Sequence, residues 1–144
     1  AMELSLEELA DFAKKFVADL PRVSGSRAHV AGLTGPLGAG KTTFVQLVAR
    51  ELGIKSPVTS PTFVFVKTYP VSRPPFTRLV HVDGYRLAPD DRDTAGFGEH
   101  LEDPGNLVLA EWPENIPGFP PDAPILVFRV TGETTRSVDH HAKD

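Results

Sequence analysis

The segment GPLGAGKT at positions 35–42 carries the strongest chemical signal in the sequence. It satisfies G-x-x-x-x-G-K-[ST], with Gly35, Gly40, Lys41 and Thr42 at the required places. Glycines let successive backbone N–H groups converge on a phosphate, because a side chain would block close approach or oppose a positive φ. Lys41 is expected to pair with the β and γ phosphates of a nucleoside triphosphate, and the Thr42 hydroxyl to ligate magnesium. Gly38 and Ala39 complete the expected cradle. Thr43 suits an α-phosphate contact and helix-start packing equally well.

Magnesium takes oxygen ligands, so a site of this kind also needs a carboxylate from a nearby strand end. Asp83 follows the apolar run at 79–82, and Glu111 follows the run at 107–110. In a doubly wound sheet both ends open onto the ligand edge. Asp83 and Glu111 are therefore both candidates for metal binding and, with Lys41, for catalysis, and the sequence does not rank the two acids.

The flanking elements fit this placement. Residues 28–33 form an apolar run suited to a buried strand that leads straight into the glycines. A helix is expected from Thr42 to Leu52, with Phe44, Leu47 and Val48 inward and Gly53 as its left-handed stop. Ser5 and Glu8 form a capping-box pattern ahead of Leu9, Phe12, Ala13, Phe16 and Leu20, which predicts an amphipathic first helix ending at Pro21. Strands are expected at 63–69 and 79–82, and the Pro-rich stretch between them is too short for a helical crossover, so they should be antiparallel neighbours. Residues 88–104 suit a short helix plus loop, 125–130 an interior strand, and 113–124 a loop. The expected fold is α/β: a P-loop NTPase-like three-layer sandwich around a mixed, mostly parallel sheet with one antiparallel strand pair. One domain over 1–144 is expected, with a frayed tail from Asp139.

Bulk properties narrow the chemistry. A net charge of -4 argues against a broad basic grip on nucleic acid. With no cysteine, disulfides and thiolate metal sites are excluded. Acids near the start, and no apolar run of roughly 18 residues, favour a cytoplasmic protein without a membrane span. An N-K-x-D base-reading motif is absent and the Asp83 segment reads DGYR, which disfavours GTP. A small-molecule kinase remains a rival, although residues 88–104 carry only Arg92 where a phosphate lid would need arginines. A nucleotide-gated binding module without required turnover is a third possibility. His140 and His141, with one neighbouring acid, fall short of a metal site, and Asp90, Asp91 and Asp93 read as a solvated helix start.

The order GPLGAGKTT, TSPTF, HVDGYRL, AEWPENI resembles the bacterial TsaE (YjeE) family, the ATPase component of tRNA threonylcarbamoyladenosine formation, over nearly the whole chain. The resemblance implies ATP as substrate, Mg2+ held by Thr42 and Glu111, and Asp83 near the γ phosphate, orienting water or sharing the metal shell. It implies a switch-like loop at Thr59, Ser60, Pro61 and Thr62, and places Arg136 and Ser5 near the adenine. Trp112 would lie beside the nucleotide or a partner, although simple packing is the commoner role for a lone tryptophan. Arg86 could neutralise transition-state charge or form a structural ion pair. The implied partners are TsaD and TsaB, with tRNA engaged only through their complex. Gly84 and Ala110 depart from the family's bulkier residues, which puts local packing in question.

Overall fold

A computed structural model describes residues 3–58, 66–85 and 97–141. Among them seven strands form one sheet in the order β1-β7-β6-β2-β5-β4-β3. Its centre is parallel: β2 (His29–Thr34) lies between β6 (Ile125–Val130) and β5 (Asn106–Glu111), and β4 (Phe76–Asp83) pairs with β5. All six residues of β5 are buried, as expected of a parallel strand covered on both faces.

Both edges turn antiparallel. β3 (Val66–Arg73) pairs with β4 as the short connection requires, and the two strands run further toward that connection than the apolar runs alone suggest. At the other edge β7 (Arg136–His141) pairs antiparallel with β6 and with the two-residue β1 (Glu3–Leu4). Residues 139–141 of the expected frayed tail belong instead to the β6–β7 ladder, with Asp139 facing Val127, while 142–144 lie outside the described residues. Arg136 accordingly opens a strand of its own.

Helix α1 (Leu6–Ala18) starts at the full capping box, with Glu8 N–H donating to Ser5 Oγ and Ser5 N–H donating to Glu8 Oε1. It packs with α2 (Lys41–Glu51) on one face of the sheet. Phe44 joins the two helices to β6, its ring centroid 5.6 Å from Phe12, 5.5 Å from Phe16 and 5.7 Å from Phe128. Gly53, at φ 83, ends α2 as expected. The opposite face buries Val80, Val82, Val108 and Ala110 against Phe97 and Leu101 of α3 (Phe97–Glu102) and against Ile116. Ile116 follows a 3-10 turn, Pro113–Asn115, inside the expected loop. The three layers of the sandwich are thus helix pair, sheet, and α3 with the Pro-rich segment.

Strand alternation decides which acids share a face. Leu79, His81 and Asp83 point toward α2 together with Leu107, Leu109 and Glu111, while the valines between them point away. β2, β5 and β4 run in register, so Leu33, Glu111 and Asp83 stand side by side at one edge.

Just past that edge the backbone is tight. Gly84 N–H donates to Glu111 O at 2.9 Å, and a Cβ on Gly84 would lie 2.8 Å from both Trp112 O and Ile116 Cγ1. The small residue is therefore matched to this chain's packing. Gly84→Val is expected to destabilise by about 1–3 kcal/mol in urea denaturation. Phe44→Ala should cost about 3–5 kcal/mol in the same measurement, because it removes the ring on which α1, α2 and β6 meet.

Candidate functional site

The site is built where β2 hands over to α2. Gly35, Gly38 and Gly40 all have positive φ, at 141, 78 and 103. Their reasons differ. A Cβ on Gly35 would lie 2.4 Å from Phe128 O of β6, so the loop's first glycine is dictated by strand packing. Gly38 has open space around it and needs glycine for its backbone angle alone. Gly40 stands at the N-cap of α2 and brings no capping side chain, which leaves first-turn N–H groups available to an anion.

Lys41 is 4% exposed. Its Nζ donates to Gly35 O and lies 3.6 Å from the centroid of the Trp112 ring. Burial pulls its pKa below the ordinary lysine value, and the carboxylates of Glu111, Glu114 and Asp83 pull it partly back. At pH values below the folded-state pKa the charged ammonium weakens the fold relative to the unfolded chain. Stability then rises as pH climbs from that pKa toward the unfolded value. Any anion bound beside Nζ would oppose this penalty.

Thr42 and Glu111 meet directly. Thr42 Oγ1 lies 2.9 Å from each Glu111 carboxylate oxygen, and Glu111 is only 3% exposed. Its Oε2 also lies 2.6 Å from Nε2 of the fully buried His81. Asp83 is the neighbour of Glu111 across the β4–β5 register, but its Oδ1 accepts the Tyr85 N–H at 2.9 Å. The contact with Thr42 thus distinguishes Glu111 from Asp83, which the residue pattern alone does not.

A cavity of about 420 Å³ opens at this point, walled by Ser5, Gly38, Gly40, Lys41, Thr42, Thr43, Glu111 and Arg136, with Leu4, Leu6, Leu9, Leu37 and Thr134. Most of the expected cradle is therefore brought together. Gly35, Ala39 and Asp83 stand outside the lining. Ser5, which caps α1, and Arg136 lie at the same cavity. Arg136 Nε donates to Gly38 O at 2.9 Å and its Nη1 to Gly132 O and Thr135 O, which ties the crest of the loop to the β6–β7 turn.

Trp112 adopts left-handed backbone angles, φ 57 and ψ 52, and its N–H donates to Leu33 O at 3.0 Å. That turn sets its ring against both Lys41 and Tyr85, whose ring centroid is 5.2 Å away. Thr59, Ser60, Pro61, Thr62, Arg86, Asp90, Asp91 and Asp93 lie outside the described residues.

Three features of the site were not read from the residues. His81 is a lone polar residue in an apolar run, LVHVD, and that interruption was the available signal. Glu114 accepts from Thr34 Oγ1 at 3.0 and 3.2 Å, a contact between distant segments. Leu6 and Leu37 place exposed apolar side chains at the cavity. Among the described residues no group of three or more His, Asp or Glu side chains forms a metal cage by itself. A cation held at Thr42 and Glu111 would need further oxygens from a ligand or water.

Comparison with known proteins agrees with this architecture. The family profile described as "Threonylcarbamoyl adenosine biosynthesis protein TsaE" matches residues 4–138. The tRNA threonylcarbamoyladenosine biosynthesis protein TsaE of Bacillus subtilis is 34% identical over 125 residues, covering 86% of this chain and 76% of that protein. Its namesake from Haemophilus influenzae is 34% identical over 117 residues, covering 81% and 72%. The crystal structure of Bacillus subtilis YdiB superposes with a TM-score of 0.72 at 28% identity, covering 98% of this chain and 84% of that one. The chain belongs to the TsaE family, whose members act in tRNA threonylcarbamoyladenosine biosynthesis.

Proposed function

We propose that this protein is a magnesium-dependent ATPase that supports tRNA threonylcarbamoyladenosine formation by acting on a complex of TsaB and TsaD proteins. The observation that carries this reading is the Thr42–Glu111 pair, with a hydroxyl and a carboxylate 2.9 Å apart at the start of the helix that follows GPLGAGKT. Both are hard oxygen donors facing a cavity, which fits magnesium and would suit a soft metal poorly. Magnesium, when bound, neutralises charge on the β and γ phosphates.

The chain's own residues do the rest. The N–H groups at the start of α2 bind phosphate oxygens, favoured by the helix dipole. Lys41 leaves Gly35 O and the Trp112 ring to pair with the β and γ phosphates, trading two weak neutral partners for an anion. Asp83, at the adjacent strand end, orients the attacking water. Ser5 and Arg136 border the space for the base. On the family resemblance, the loop at 59–62 would sense the γ phosphate, and hydrolysis at the phosphate site would reset the partner complex between rounds of tRNA modification. The net charge of -4 suits a protein that reaches tRNA only through TsaB and TsaD.

The test is phosphate release from ATP by the purified protein, alone and with TsaB, TsaD and tRNA. Release should require magnesium and rise when the partners are present. Glu111→Ala should lower kcat by at least about 100-fold, the scale on which a preorganised electrostatic group contributes. Transfer of the γ phosphate to a metabolite, or absence of turnover with matched partners while modification proceeds normally, would contradict the assignment.

A further inference from the structure

The buried histidine of β4 is unused in the function proposed above. His81 is wholly buried, its Nε2 lies 2.6 Å from Glu111 Oε2, and among the described residues its Nδ1 meets no hydrogen-bond partner. A histidine kept only for packing would ordinarily have both ring nitrogens satisfied or be replaced by an apolar residue, as its neighbours Val80 and Val82 are. Here one nitrogen is left unmet and the other is aimed at the carboxylate. An ionised carboxylate offers only lone pairs, so this contact is a hydrogen bond only with the ring proton on Nε2, the tautomer the role below requires.

The contact does something Thr42 cannot. The single Thr42 hydroxyl proton is shared between two carboxylate oxygens at equal distances of 2.9 Å and so does not distinguish them. His81 reaches Oε2 alone. We propose that His81 is a positioning residue: by anchoring Oε2 it fixes the rotamer of Glu111 and leaves Oε1 as the oxygen presented to a divalent cation. This rests on the magnesium-dependent reading above. It follows the general behaviour of outer-shell partners, which orient a ligand and set its effective affinity without touching the metal.

The test uses the full chain as wild type, His81→Leu and His81→Gln. Leucine fills a similar space without a donor, while the glutamine amide restores an N–H close to the place of Nε2. Binding of ATP is measured calorimetrically across a magnesium titration and again in EDTA, with thermal melting of each protein alongside. His81→Leu should raise the magnesium concentration for half-maximal enhancement by about 10–100-fold. Its ATP affinity in EDTA should stay at the wild-type value, and His81→Gln should recover most of the magnesium response. An unchanged magnesium response in folded His81→Leu would overturn the role of His81 alone, as would equal losses in the Leu and Gln variants. Wild-type binding that ignores magnesium would bring down the underlying function and this role with it. Should His81→Leu fail to fold, side-chain 1H–15N spectra of the wild type decide: a proton on Nε2 that shifts with ATP plus magnesium, and not with ATP alone, supports the role. A neutral ring protonated on Nδ1 excludes it.

Discussion

A carboxylate that is 3% exposed must have partners, because an ionised group in a dry environment is otherwise too costly to keep. Glu111 is that group, and the site is arranged around its needs. It ends a strand buried along its whole length, so the sheet delivers it to the α2 face with little freedom to move. Thr42 from the phosphate loop and His81 from the adjacent strand converge on its two oxygens. Three segments far apart in sequence are thereby joined at one carboxyl group, and the parallel register of β4 with β5 is what makes the meeting possible.

The loop before α2 is held by equally local constraints. Gly35 lies against the backbone of β6, Arg136 grips the carbonyl of Gly38, and the Phe44 cluster fixes the helix that follows. Lys41 meanwhile rests on Gly35 O and the Trp112 ring, with its pKa lowered by burial. The cradle is therefore preformed, while its cation is parked on weak partners. A phosphate would offer that cation a stronger one, so binding an anion there would relieve an electrostatic cost already present in the fold.

Much of this was legible in the residues because it is local. GPLGAGKT, the Ser5–Glu8 capping box, Gly53 and the apolar runs of β2, β5 and β6 each carry their own periodicity or turn chemistry. The antiparallel β3–β4 pair followed from connection length alone. β7 was missed because RSVDHH is mostly polar; only its pairing with β6 and β1, and the burial of Ser137, make it a strand. Asp83 and Glu111 were indistinguishable because both are acids after apolar runs. What separates them is that both Glu111 oxygens meet Thr42 Oγ1, whereas Asp83 Oδ1 accepts the Tyr85 N–H. For His81 the polar interruption of LVHVD marks the residue but not its partner, since a diagonal contact across two strands leaves no spacing in the chain.

The central claim is that Glu111, held between Thr42 and His81, forms the protein side of a magnesium–nucleotide site. A crystal structure with magnesium and a non-hydrolysable ATP analogue tests it most directly. The account predicts the phosphates on the 35–42 loop, Lys41 off the Trp112 ring, and Thr42 and Glu111 both in the metal shell, directly or through one water, with the Glu111–His81 contact kept. Phosphates bound elsewhere, or a metal held away from both Thr42 and Glu111, would contradict it.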